Sequence, residues 1–421
     1  MKYFHSHIIV QDKCRGRMKC IKSCPTQALR LRHEKIVYYD NLCIDCGACI
    51  NACPEHVFVP VIDEISDFEK FLFKIAIPSR VLYTQFDHHF HPQDIHQALI
   101  RVGFDAVVDT SQETHDMSYV VSAHLKANNS GKPVISSFCP SVIRFIQVKY
   151  PNLMELISTF DVPREITAKT AKKKYAGELG IPENKIGVIY ITPCPAMVVS
   201  IKQPAEKEKS WIDGAIAIKD IYNIMLPELL NIQTHKKKKE EGEYFFYGRG
   251  WGGISRLQQH LDLERSMSVR GIDNVRMVLD DIEDSRLRNV DYIETFICAA
   301  GCIGGAFCVE NPYIARHNSI MLEKKYGRPL VFHKEEVMKR YREGYYFMEH
   351  VILPRNTRSL TTDIATSIKR VRQKERILTK LPKKDCGLCG APNCETFADD
   401  CAWGEADLAD CIFIKRNLNA S

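Results

Sequence analysis

The sequence predicts an α/β and α+β multidomain protein, and three observations carry that expectation. Two short cysteine runs near the amino terminus repeat one another. Between about residue 75 and residue 350, strand-length apolar runs alternate with helix-length stretches, the pattern of a parallel sheet with crossover helices. A basic, polar stretch then leads into a last cysteine-rich segment. With 421 residues the chain can form two or three cores. The expected divisions are 1–62, 63–353, a basic helical linker over 354–384 (its helix over 361–381), and 385–421.

The seventeen cysteines set the chemistry. No apolar run approaches the about 18 residues of a membrane helix, so no membrane insertion is expected. Met1–Val10 holds one Lys, two His and no small-residue cleavage site, which is unlike a secretory leader. A cytoplasmic location follows as the expectation. Thiols stay reduced there, so clustered cysteines point to metal ligation rather than disulfides. The formal charge of +6 carries little weight, because metal-bound thiolates add negative charge that the count omits. No nucleic-acid partner is expected.

Cys43-Ile-Asp-Cys46-Gly-Ala-Cys49-Ile-Asn-Ala-Cys53-Pro54 has the C-x2-C-x2-C-x3-C-P spacing that wraps three thiolates round one iron–sulfur cubane. Cys14-Arg-Gly-Arg17-Met-Lys-Cys20-Ile-Lys-Ser-Cys24-Pro25 is its imperfect twin. The pair resembles a two-cluster ferredoxin, in which the last cysteine of each run crosses to the other cluster. The resemblance implies Cys24, Cys43, Cys46 and Cys49 on one 4Fe-4S cluster. Cys14, Cys20 and Cys53 remain for the second, with Arg17 in place of a fourth thiolate. A guanidinium is no iron ligand. A 3Fe-4S cluster, a modified four-iron cluster with an outside ligand, and an empty site all stay open.

In the middle region, strands expected over 132–136, 185–192 and 292–297 each run into cysteines, while Phe104–Asp109 makes a fourth without one. Open α/β sheets place ligands beyond the carboxyl ends of their strands, so these ends deliver four thiols to one place. Any one of these cysteines alone would be a small buried hydrophobe. Together they suggest a metal site, with Pro140, Pro193 and Pro195 fixing the chain. Gly301, Gly304 and Gly305 would leave room for a bulky group against the backbone. Zinc meets the count of four but has no need of that room.

Ser137-Phe-Cys139-Pro140, Thr192-Pro-Cys194-Pro-Ala-Met197 and Cys298-Ala-Ala-Gly-Cys302-Ile-Gly-Gly305 resemble, in order, the signature segments of the iron-only ([FeFe]) hydrogenases. The resemblance spans roughly residues 1–350 and implies an α/β hydrogenase-like domain carrying an H-cluster. Cys139, Cys194 and Cys298 would hold its cubane, and Cys302 would bridge to a diiron unit bearing carbonyl and cyanide. The chain departs from the pattern at Phe138, where the family has a proton-passing cysteine. It departs again at Met197, where a lysine contacts a cyanide, and at Thr192, where methionine is common. Val121 and Ser122 fall where proton-path acids lie, with Glu113 or Asp116 as substitutes. Cys308 is either a substitute proton carrier or a spare buried thiol. These departures, with Val309-Glu-Asn-Pro312, match the sensory-type branch. The implied activity is H2 binding, or slow H2 oxidation and proton reduction, by a low-turnover hydrogenase. Its electrons would pass through Fe-S clusters to a redox or signalling partner near the terminal clusters. The rival is an Fe-S electron-transfer or assembly protein with the same four cysteines and no diiron unit.

The tail, Cys386-Gly-Leu-Cys389-Gly-Ala-Pro-Asn-Cys394 with Cys411 farther on, resembles a small 4Fe-4S domain, with zinc as the alternative metal. Cys401 lies outside that pattern. Three further features have ordinary readings. Lys236–Lys239 is an exposed charge run, and Gly248–Gly253 a turn packed near the clusters. Asp87–His91 is a polar surface loop with metal binding as its alternative.

Overall fold

The computed structural model describes residues 3–128, 131–235, 263–327, 330–355 and 364–418. The charge run at 236–239 and the glycine-rich turn at 248–253 lie outside these residues. The chain forms two compact units, one from Met1–Val61 with Pro354–Ser421 and one from Ile62–Leu353.

The first unit begins with four short strands: β1 (His7–Ile9), β2 (Leu29–Arg32), β3 (Lys35–Tyr38) and β4 (Phe58–Pro60). β1 pairs antiparallel with β4, and β2 with β3. His33 and Glu34 both take positive φ, the two-residue turn whose twist suits a tight hairpin. The internal repeat is visible in the backbone. In each half a short 3-10 turn (Gln11–Lys13, Asp40–Leu42) delivers the first cysteine, and a five-residue helix (Lys19–Ser23, Ala48–Ala52) ends at the last. The residue entering each helix is left-handed, Gly47 at φ 77° and Met18 at φ 57°. Glycine takes that conformation freely, whereas Met18 holds it against its own Cβ.

The tail folds onto this segment. The helix expected over 361–381 runs Ile364–Lys380. Ile377 and Leu378 pack on a small core of Leu381, Ala391, Phe397 and Ala398. Asp400, fully buried, accepts from Arg30 Nε at 2.6 Å and Nη2 at 3.0 Å, and from Arg32 Nη2 at 2.7 Å. The Leu31 N–H donates to the Gly390 carbonyl at 2.8 Å. A side chain at Gly390 (φ 80°) would sit 1.8 Å from the Leu31 oxygen, so only glycine fits.

The second unit is α/β. Its strands are β5 (Phe73–Pro78), β6 (Ala106–Val107), β7 (Val134–Ile135), β8 (Ile186–Thr192), β9 (Gly214–Ala217), β10 (Ser266–Arg270) and β11 (Tyr292–Phe296). All are parallel, in two sheets of order β6-β5-β8-β9 and β10-β11-β7. The cysteine-bearing strand ends therefore come from two sheets and not one: β8 from the larger, β7 and β11 from the smaller. β8 is buried at every position and flanked on both sides, while the two-residue β7 pairs with β11 and meets Ile157 through a single bridge at Ile135. Among the described residues no helix is long and apolar enough to cross a membrane.

Candidate metal centres

All seventeen cysteines are free thiols. In the first unit one cavity is lined by Cys24, Cys43, Cys46 and Cys49, and a second by Cys14, Cys20 and Cys53. Arg17 borders the second cavity but directs its half-exposed guanidinium to Glu55, at 2.9 Å. Burial pushes Cys46 up to about 12 and Cys20 up to about 11, and lifts Cys43 and Cys49 well above the ordinary thiol range. Neighbouring thiols add to each shift. Bare, these groups stay protonated. A cation among them is what turns them into thiolates, which is the donor chemistry of an iron–sulfur site. Backbone N–H groups of Ala28 and Asp45 already point at Cys24 and Cys43 sulfur, at 3.2 and 3.3 Å. His5 and the buried Asp45 join Cys43 with donor atoms within 4.8 Å of one another. Sequence reading passed over this neighbourhood, because His5 lies far from the cysteine run.

In the tail, burial pushes the Cys389 thiol up, and it senses both Cys386 and Cys411. Cys394 opens the helix Cys394–Ala402, its N–H donating to Asp385 at 2.7 Å. Cys401 packs in the Phe397 core. At the polar loop, Asp87, His88 and His89 cluster at the surface, while His91 turns away to cap the helix Pro92–Arg101.

In the second unit the thiols sit where chain direction changes. Cys139 and Cys194 each cap a helix that opens with proline, Pro140–Lys149 and Pro195–Lys202. Pro suits the first helical turn because its missing N–H would have no partner there. Cys298 follows β11, and Cys302 lies in the 3-10 turn Gly301–Gly304. Cys302 is buried and feels the charge of Cys194, Cys139, Cys298 and Cys308. Burial drives Cys194 up to about 12 and Cys302 well above the thiol range. Four inward thiols with no disulfide and strongly disfavoured bare thiolates fit an iron group.

Gly305 has a different role from the one expected. A Cβ there would lie 2.3 Å from the Pro193 carbonyl oxygen, which also accepts from the Phe307 N–H at 2.9 Å. The glycine thus lets the Cys302 turn lie directly on the Cys194 segment. Gly305→Ala should destabilise the second unit by about 1–3 kcal/mol through forced backbone movement. Denaturant unfolding of the purified variant checks this, and a change within 0.5 kcal/mol would contradict the close contact.

Three family models match the chain. The one described as the iron only hydrogenase large subunit, C-terminal domain, covers residues 73–253. A 4Fe-4S dicluster domain covers 6–54, and an Fe-S cluster region 381–413. A relative, the NADP-reducing hydrogenase subunit HndD of Solidesulfovibrio fructosivorans, is 24% identical over 73% of this chain and 61% of its own length. The cytosolic Fe-S cluster assembly factor NAR1 of Scheffersomyces stipitis is 26% identical over 36% of this chain and 31% of its own. The chain therefore spans less than two thirds of either protein. The solved [FeFe]-hydrogenase HydA1 of Chlamydomonas reinhardtii shares the fold, with TM-score 0.50 and 14% identity over 69% of this chain and 96% of that one.

Residues 73–253 thus form an iron-only hydrogenase-type domain. The chain is an iron–sulfur protein of mixed α/β architecture, with a ferredoxin-like 4Fe-4S segment, a hydrogenase-type domain and a carboxyl-terminal Fe-S region.

The walls of this hydrogenase-family domain are largely apolar beside the thiols. Phe138 is buried and packs edge-on against Phe296, and Met197 is buried. Cys308 offers its S–H to the Cys302 carbonyl at 3.5 Å, and burial pushes it up to about 12. Glu113 is engaged elsewhere, accepting from Arg340 at 3.1 Å and Thr170 at 2.8 Å. Asp116 accepts from Gln112 at 2.9 Å. Two charged residues escaped sequence reading. Arg164 is buried and acts on Cys139 and Cys194, and Glu294 is buried on β11 with Arg270 and Ser268 as its polar neighbours. Nothing local marks either one, since burial by distant segments is what makes them unusual.

Proposed function

We propose that this iron–sulfur protein binds H2, or oxidises it slowly, and passes electrons through its 4Fe-4S clusters in a sensory or regulatory role. Cys139, Cys194, Cys298 and Cys302 would hold the H-cluster. Cys24, Cys43, Cys46 and Cys49 would hold one cubane, and Cys386, Cys389, Cys394 and Cys411 another. Cys14, Cys20 and Cys53 would hold a modified or 3Fe-4S cluster, since Arg17 is turned to Glu55. A diiron group at Cys302 would supply an open iron at which H2 splits heterolytically.

The observation that carries the low-turnover reading is the buried pair Phe138 and Met197. A phenyl ring and a thioether neither hold nor relay a proton, and both exclude water. Cys308, whose Sγ donates to the Cys302 carbonyl, is a protonic side chain beside these cysteines. With its thiol pushed up to about 12, it retains its proton at neutral pH and gives it up reluctantly. Glu113, tied to Arg340, is not free to shuttle. Proton movement to and from the site should therefore limit the rate. A cytoplasmic setting and a redox or signalling partner near the terminal clusters complete the reading.

The likeness to NAR1 favours a second reading, an Fe-S protein that never receives the diiron unit. Infrared spectra of anaerobic protein exposed to the diiron cofactor, under argon and then H2, separate the two. Carbonyl and cyanide bands that shift with H2, and that vanish in Cys302→Ser, are expected. Intact cubanes without such bands would leave the electron-transfer or assembly reading.

A further inference from the structure

Arg164 is 4% exposed, and the fold gives its cation little compensation. Nη2 donates to Ser200 Oγ at 3.1 Å. Nε and Nη1 are buried and have no partner among the described residues. A guanidinium carries five N–H donors and does not lose its charge in proteins, so it cannot escape the cost of burial by neutralising. Leaving such donors unmet is expensive enough that a fold retains them where an anion will arrive.

The surroundings say where that anion lies. The guanidinium is bonded to the helix that begins at Cys194, and its charge lowers the thiols of Cys139 and Cys194 against the larger effect of burial. Its partner Ser200 stands on the helix Pro195–Lys202 that begins at Cys194, and Ser200 Oγ in turn donates to the Met197 carbonyl at 2.9 Å. Met197, on that same helix, brings no charge of its own. Arg164 is also held in place. It sits in the first turn of the helix Pro163–Leu179, and the adjacent Glu165 accepts from Ser210 Oγ at 2.6 Å and the Trp211 N–H at 3.0 Å. Glu165 further pairs with the buried Lys207 at 3.4 Å. Arg164 is thus anchored through Ser200 to the helix that opens at Cys194, beside a firmly held neighbour in Glu165.

We propose that Arg164 is the anion-binding residue of the central site, the N–H groups on its Nε and Nη1 receiving an anionic ligand of the iron group. That ligand is cyanide in diiron-loaded protein and cluster sulfide or thiolate in protein holding the cubane alone. The proposal rests on the reading that the four central cysteines hold iron. A cation at hydrogen-bond distance withdraws electron density from the ligand it contacts and favours the reduced, more negative cluster.

The test compares wild type with Arg164→Met and Arg164→Gln, each prepared with the cubane alone and after diiron loading. Arg164→Gln keeps a neutral donor for Ser200 and protects against simple misfolding. Iron per chain, the infrared cyanide frequencies and the midpoint potential of the central cubane are read together. Both variants should retain iron and show shifted cyanide bands, and their central cubane should become harder to reduce while the other clusters keep their potentials. Variants with unchanged bands and an unchanged central potential would overturn the role of Arg164 and leave the hydrogenase reading standing. Wild-type protein with no iron at the central cysteines would overturn both. Wild type with a cubane but no carbonyl or cyanide bands sinks only the diiron reading, and the cubane potential then decides for or against Arg164.

Discussion

Asp400→Ala is expected to destabilise the unit built from the two ends of the chain by about 3–5 kcal/mol, the cost of breaking a buried ion pair from one side. Asp400 has no exposure, and Arg30, its bidentate partner, is 2% exposed. Arg32 approaches the same carboxylate at 2.7 Å and also donates to the Cys389 carbonyl. Removing the carboxylate strands two guanidinium groups, one of which cannot reach water without opening the interface. Asp400→Asn keeps an acceptor and should cost less. Denaturant unfolding and hydrogen exchange at the Leu31 amide, which donates to Gly390, would register the loss. The tail should also release its iron first. A change below about 0.5 kcal/mol would mean that water already serves these arginines.

The second large effect is on pH dependence. Burial on β11 pushes the Glu294 carboxyl up to about 7, with Arg270 opposing only in part. In the unfolded chain the same group titrates near 4.5. The folded state therefore binds the proton more tightly, and stability falls as pH rises from about 4.5 through about 7. The shift corresponds to about 3 kcal/mol lost by pH 8. Glu294→Gln imitates the protonated acid. It should match wild type at pH 4.5 and exceed it at pH 8 by about that amount. Unfolding midpoints of both proteins at pH 4.5, 6 and 8 test this, and parallel profiles would show that Glu294 ionises without penalty.

The cysteine runs were legible because cluster geometry dictates local spacing, and local spacing is what a sequence displays. Cys43 to Cys53 and Cys386 to Cys394 could be grouped without knowing anything distant. The repeat was legible for the same reason, down to Met18 standing where its twin has Gly47. Strand positions in the α/β region were also accessible, since β8 is a nearly continuous apolar run and β11 is rich in aromatic and β-branched residues. Their division between two sheets was not, because pairing depends on which edges the intervening helices cover. Gly305 shows how a correct residue can suggest the wrong cause: space for a ligand was inferred, and the Pro193 carbonyl fills it. Arg164, Glu294 and Asp400 look like ordinary surface charges in the sequence. Each gains its importance from segments tens to hundreds of residues away.

The joining of Met1–Val61 with Pro354–Ser421 has a consequence for how the protein is made. Roughly 290 residues separate the two segments, and at about 5–20 residues per second a ribosome takes some 15–60 s to add them. During that interval Arg30 waits without its carboxylate and Leu31 without its carbonyl. The amino-terminal cysteines emerge early, on a half-finished module, within reach of cluster-delivery machinery and of oxidants alike. Their protection arrives only once residues 354–421 have followed.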